Sequence, residues 1–211
     1  MLSFDAMPTA TASARSPAPA IDQRVFLHGM SWQAYEALLA WRGEKSAVRM
    51  TYLEGELELM TPSRSHESLK KRLARLVEAW AEEKGIALDG AGSWTLKSEQ
   101  AERGAEPDEC YVLGDVEQAT APDIAIEVVW TRGGIDKLEV YRKLGLREAW
   151  IWADGALTFH LLRGGRYVGA ARSELLPKLD PTIIARFMSG GTQTDAVRGL
   201  RRALERRPAK R

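Results

Sequence analysis

The chain is 211 residues long, of ordinary globular composition and with a formal net charge of +1, which is enough for one sizeable core. No run of about 18 apolar residues is present, which excludes a helical membrane span. The lone cysteine, Cys110, excludes an intrachain disulfide and a thiolate zinc cluster and fits a reducing cytoplasm.

Residues 1–22 are rich in Ala, Pro, Ser and Thr and read as a disordered leader, with Met7 as an alternative start. A basic start followed by a long apolar block is missing, so this is not a signal peptide. Ser31 has the chemistry of an N-cap for a helix from Trp32 to about Trp41, ended by Gly43. MTYLEGELELM, residues 50–60, predicts a hairpin turning at Glu54-Gly55, with Pro62 closing its second strand. Leu69, Leu73, Leu76, Val77 and Trp80 recur at helical spacing and predict a helix from His66 to Lys84, stopped by Gly85.

Short strands are expected at 86–89, 93–97 and 109–113. The run Asp123 to Trp130 reads as a strand covered on both faces, interrupted only by Glu127. A helix from Ile135 to Leu144 follows, then strands at 149–153, 156–162 and 166–171. Trp130, Trp150 and Trp152 alternate along their strands and are expected in the core or at a dimer surface. The order predicts an α/β (α+β) domain over residues 23–190, a mixed sheet flanked by helices. Residues 191–211 form a basic tail. From Asp195 to Arg211 seven basic side chains face two acidic ones, which leaves the body before them at −4. Val197, Leu200 and Leu204 make that tail an amphipathic helix, either solvated or set against phosphate.

A carboxylate inside an apolar strand needs a cation or donors to replace its lost hydration. Asp123 shares the face of Glu127 but stands about 13 Å along the strand, too far for one magnesium ion, and reads as structural. Asp108, in Pro107-Asp108 at the start of another strand, is better placed. Lys137 follows Gly133-Gly134 and opens the next helix, so the chain returns an ammonium toward Glu127. Two carboxylates and a lysine suit metal-assisted phosphodiester hydrolysis. The bland alternatives are a turn role for Asp108 and a buried structural pair between Glu127 and Lys137. His28 and His160 have no constellation around them.

YLEGELELM, TPSRSHE, Pro107-Asp108, the IEVV strand, and Asp136-Lys137 with Tyr141 and EAWIW form an ordered set. On these residues the chain resembles the Uma-type restriction endonucleases, within the PD-(D/E)XK nuclease superfamily, from about Ser31 to about Ala171. The resemblance implies a restriction-endonuclease-like fold and a DNA endonuclease using magnesium or manganese. Asp108, Glu127 and Glu56 would be metal ligands, Lys137 the catalytic lysine, and His66 a residue at the edge of the site. Glu54 and Glu58 share the strand face of Glu56 and compete for its role. Arg132 and Arg64 would contact nucleic acid. Many members have Ser-Pro where this chain has Trp130-Thr131-Arg132, which bears on substrate choice. A homodimer suits cleavage of two strands. The competing readings are a non-catalytic module that binds nucleic acid or protein, and a hydrolase of other phosphate esters.

Overall fold

The computed structural model describes residues 21–43 and 47–205. The leader before residue 21, with Met7, and the basic end from Arg206 to Arg211 lie outside the described residues. In chain order the elements are β1 (Gln23–Leu27), α1 (Trp32–Arg42), β2 (Arg49–Leu53), β3 (Glu56–Thr61) and α2 (Arg64–Lys84). Then come β4 (Leu88–Gly92), β5 (Leu96–Ser98), β6 (Arg103–Ala105), β7 (Glu109–Leu113), β8 (Ile124–Val128) and α3 (Lys137–Leu144). β9 (Glu148–Ala153), β10 (Ala156–Arg163), β11 (Arg166–Ala170), α4 (Pro181–Ala185) and α5 (Gln193–Glu205) complete them.

Local chemistry sets the boundaries. Ser31 accepts from the Ala34 N–H, Ser63 from the His66 N–H and Asp136 from the Leu138 N–H, so each caps orphan donors of a first turn. Gly85 and Gly145 end α2 and α3 in the left-handed conformation.

The expected mixed sheet is built as two, giving an α+β fold of two sheets flanked by helices. One sheet runs β1-β3-β2-β6-β5 and the other β11-β10-β9-β8-β7-β4. β8 and β9 are parallel with α3 as their crossover, and the other described pairs are antiparallel. Along β8, Ile124, Ile126 and Val128 face the main core, with Leu73, Leu76 and Trp80 of α2 and Trp150, Trp152 and Phe159 of the sheet. Ala125 faces the other way, onto Val140 and Tyr141 of α3 and onto Ala105. A third cluster packs Trp32 and Tyr35 of α1 on Tyr52 and Leu57 of the hairpin.

Two expectations need correction. β8 ends at Val128; Val129 keeps one backbone bond to the Trp152 carbonyl and Trp130 leaves the sheet, the two being 38% and 37% exposed, while Trp150 and Trp152 are buried as predicted. The helix of the basic tail is not a solvated strut. Ala196 and Leu200 of α5 are buried in the main core against α2, and Arg201 pairs with Glu82 and Glu83. No helix among the described residues is long and apolar enough to cross a membrane.

Candidate active site

Between β6 and β7 the chain passes from one sheet to the other through Glu106-Pro107-Asp108. Glu106 fixes this crossing. Its carboxylate accepts from both terminal nitrogens of Arg42 at 2.5 and 2.7 Å, from the Met50 N–H at 2.9 Å and from Thr95 Oγ1 at 3.0 Å. The pairing Glu109↔Ile126, continued by one step, sets Asp108 beside Glu127. Asp108 is buried, and its Oδ2 accepts from the Val128 N–H at 2.8 Å.

Glu127 is also buried, on the β8 face that meets α3. The partners it requires come from one helix. The Tyr141 hydroxyl donates to Oε1, and Lys137 Nζ lies 3.5 Å from the same oxygen. Lys137 also donates to the Glu106 carbonyl oxygen at 3.2 Å. Burial pushes the Glu127 carboxyl up to about 7; Lys137 opposes that and Asp108 adds to it. The two glycines that lead into α3 have separate reasons. Gly133 has φ +101°, and a Cβ at Gly134 would lie 2.9 Å from Glu58 Oε2.

His66, in the first turn of α2, is wholly buried between two aspartates. Its Nδ1 is 3.1 Å from Asp22 Oδ2, while Nε2 stands 2.9 Å from Asp108 Oδ1, a charge contact outside hydrogen-bond alignment. Burial alone would lower the imidazole, but Asp108 and Asp22 reverse this and raise it. Burial would likewise raise the Asp108 carboxyl, but the His66 contact and the Val128 N–H hold it below the ordinary carboxylate value.

Asp108, Glu127, Lys137 and His66 line one cavity of about 250 Å³, so the structure brings these four predicted residues together. Arg132 lines it too, exposed and 2.5 Å from Asp154 Oδ2. Arg64, at the start of α2, lines a separate open cavity beside Trp130. Glu56 is not brought in. It is half-exposed near the turn and pairs with His28, while Glu58, two residues on, lines the cavity from the same strand face. Both Glu58 oxygens are engaged, Oε1 by Arg24 Nε at 2.7 Å and Oε2 by the Ile135 N–H at 2.6 Å. Parity gave no way to choose between the two acids. Asp22, Arg24 and Arg49 were missed altogether, since nothing near them in sequence marks a site.

Among the described residues no group of three or more His, Cys, Asp or Glu side chains could enclose an ion. Asp108 and Glu127 nevertheless supply two hard oxygen donors to one cavity. Magnesium and manganese are commonly held by one or two carboxylates and completed by water and substrate oxygens, so the pair fits such an ion.

A solved structure described as "a putative nuclease belonging to DUF820" from Anabaena variabilis ATCC 29413 superposes with a TM-score of 0.47 at 11% identity, covering 76% of this chain and 96% of that one. No curated protein matches the chain. The family model described as "Uma2: Putative restriction endonuclease" matches residues 32–193, a span that holds Asp108, Glu127, Lys137 and the two sheets around them. With most of its length matched, the chain belongs to the Uma2 family of nuclease-type proteins.

Proposed function

We propose that this protein is a magnesium- or manganese-dependent endonuclease that hydrolyses phosphodiester bonds in DNA, acting as a homodimer in the cytoplasm. The observation that carries the proposal is the convergence of Asp108, Glu127 and Lys137 on one cavity within a Uma2 chain. Asp108 and Glu127 would hold the ion, which when bound supplies Lewis-acid stabilisation of the phosphate charge. Lys137 has three donors, and its described contacts are Glu127 and the Glu106 carbonyl. It can direct a remaining N–H at the attacking water or at a phosphate oxygen and offset charge as the new P–O bond forms and the sugar oxygen leaves. The cavity walls carry Arg24, Arg49 and Arg132, a local cationic patch on an acidic body. Arg24 is committed to Glu58 and Thr131, so Arg49, 3.9 Å from Glu67, and Arg132, in an exposed pair with Asp154, are the candidates for flanking phosphates, with Arg64 farther out.

One observation favours a non-catalytic nucleic-acid-binding module instead: both Asp108 oxygens are already engaged by protein groups. A single experiment separates the readings. Duplex DNA, single-stranded DNA and RNA are incubated with manganese and the parent protein, beside Asp108→Ala and Lys137→Ala proteins of matched circular dichroism. Cleavage by the parent alone supports the endonuclease. Binding without cleavage under every condition favours the module, and cleavage by the variants at the parent rate removes these residues from the mechanism.

A further inference from the structure

Asp22 and Arg24 stand before the first residue that the family model matches, yet both make long-range contacts to residues at or beside the candidate site. The Asp22 side chain is fully buried. Its Oδ1 accepts from the Ser63 N–H at 2.8 Å, and its Oδ2 faces His66 Nδ1 at 3.1 Å. Its own backbone N–H donates to Thr131 Oγ1 at 3.2 Å. Two residues on, Arg24 donates to the Thr131 carbonyl at 2.7 Å and to Glu58 Oε1 at 2.7 Å. This short stretch thereby ties the start of α2 to the loop after β8.

An imidazole has two ring nitrogens in fixed opposition, so holding one aims the other. With Nδ1 set against Asp22, Nε2 is kept 2.9 Å from Asp108 Oδ1, a charge contact rather than an aligned hydrogen bond. The Asp108 carboxylate is then held from both sides, by His66 on Oδ1 and by the Val128 N–H on Oδ2. Neither contact is available to solvent, because His66, Asp22 and Asp108 are all buried. We propose that Asp22 is a positioning residue of the candidate site, which holds His66 so that the imidazole fixes the orientation of the Asp108 carboxylate at the cavity.

The role assigned to Asp108 rests on the proposed ion site, but the clamp can be read without an ion. The Val128 amide bonds Asp108 and has no described contact with Asp22, so its resonance in a metal-free ¹H–¹⁵N spectrum reports Asp108 from a distance. Spectra of the parent, Asp22→Asn and Asp22→Ala are compared, with manganese titrated into each by calorimetry. The control is Glu148→Gln, a buried carboxylate that serves Trp150, Ser173 and the 174–175 backbone, away from the cavity. The expected result is a shifted Val128 amide in Asp22→Ala and manganese affinity weakened about tenfold or more, the usual scale for loss of a residue behind a ligand. Asp22→Asn, which keeps an acceptor for Nδ1, should recover part of both. Should Asp22→Ala fail to fold, the asparagine variant decides. An unmoved Val128 amide overturns the proposal, as does a loss of affinity matched by Glu148→Gln at equal melting temperature. A parent that binds no manganese removes the metal-dependent reading, while the Val128 shift still decides the clamp.

Discussion

Lys137 Nζ lies 3.5 Å from Glu127 Oε1 and donates to the Glu106 carbonyl at 3.2 Å, so one ammonium joins the strand that carries Glu127 to the crossing that carries Asp108. Its effect depends on position as well as charge. Lys137→Ala should lower single-turnover cleavage about 10²–10³-fold, the scale for removing one preorganised donor. Lys137→Arg keeps the charge, but its planar fork does not reproduce a single ammonium between two oxygens. It should recover little of that loss. Full activity in the arginine protein would reduce the role of Lys137 to general charge.

Glu127 is an acid whose pKa in the folded protein, about 7, lies above its ordinary 4.5. The folded state keeps a proton that the unfolded chain releases. Its contribution to stability is therefore complete below about pH 4.5 and is lost as pH rises to about 7. His66, also raised, acts in the same direction from its ordinary 6.5 upward. Asp108 is depressed and acts oppositely, only at the acid end. The melting temperature of the metal-free protein should fall as pH rises from about 4.5 through about 7, with His66 extending the fall upward. Glu127→Gln should remove the lower part of that fall, on the order of 3 kcal/mol if the whole shift is expressed. Parallel curves for the two proteins would show that Glu127 titrates normally.

Glu56 and Glu58 make a matched pair of controls on one strand face. Glu58 is buried and bonds Arg24 and the Ile135 N–H, so Glu58→Ala leaves that amide without its acceptor and Arg24 with only the Thr131 carbonyl and Asp22 among its described partners. A loss of about 3–5 kcal/mol is expected, read by urea denaturation. Glu56 is half-exposed and, among the described residues, pairs with an exposed His28. Glu56→Ala should stay within about 0.5 kcal/mol of the parent and keep its activity. Loss of activity in a fully stable Glu56→Ala protein would restore Glu56 to the site.

What the sequence made legible were features with a local signature. Ser31 starts α1 and Gly85 stops α2, Glu54-Gly55 turns the hairpin with both φ angles positive, and α2 follows its leucine spacing, although its cap is Ser63 and it starts two residues before the expected His66. Asp108, Glu127 and Lys137 were legible because a charge in or beside an apolar strand must be answered. β6 was not, because Arg103-Gly104-Ala105 has no alternation of its own. Its place is set by pairing with β2 and β5, and Gly104 leaves the room that Tyr35 fills, since the hydroxyl oxygen would lie 2.2 Å from a Cβ there. β1 is a five-residue edge strand whose register comes entirely from β3. Trp130 has core parity but follows the point where β8 leaves the sheet, a fact of tertiary packing. The His66–Asp22 pair spans 44 positions, and no spacing rule reaches that far.

α5 has a measurable share in the core. Leu200 is wholly buried and packs with the α2 cluster. Leu200→Ala should cost about 2–5 kcal/mol, whereas Arg198→Ala on the same helix should cost little. Thermal unfolding of the two proteins measures the difference. Equal, small effects would return α5 to the status of a solvated tail.

Tyr141 separates the two influences on Glu127. Its hydroxyl donates to Oε1, and its ring is buried among Ala105, Ala125 and Val140. Tyr141→Phe keeps the packing and removes one donor to the charged carboxylate. Burial then acts with Lys137 as its main opponent, and the Glu127 pKa should rise above about 7. Manganese has to displace that proton, so the pH at which binding becomes half-maximal should move upward in the variant, with weaker binding at neutral pH and convergence with the parent in alkali. A purely structural effect of the lost hydroxyl would weaken binding by one factor at every pH. The shape of the affinity–pH curve, taken by calorimetry on both proteins, therefore tells whether Tyr141 tunes the carboxylate or only fills space beside it.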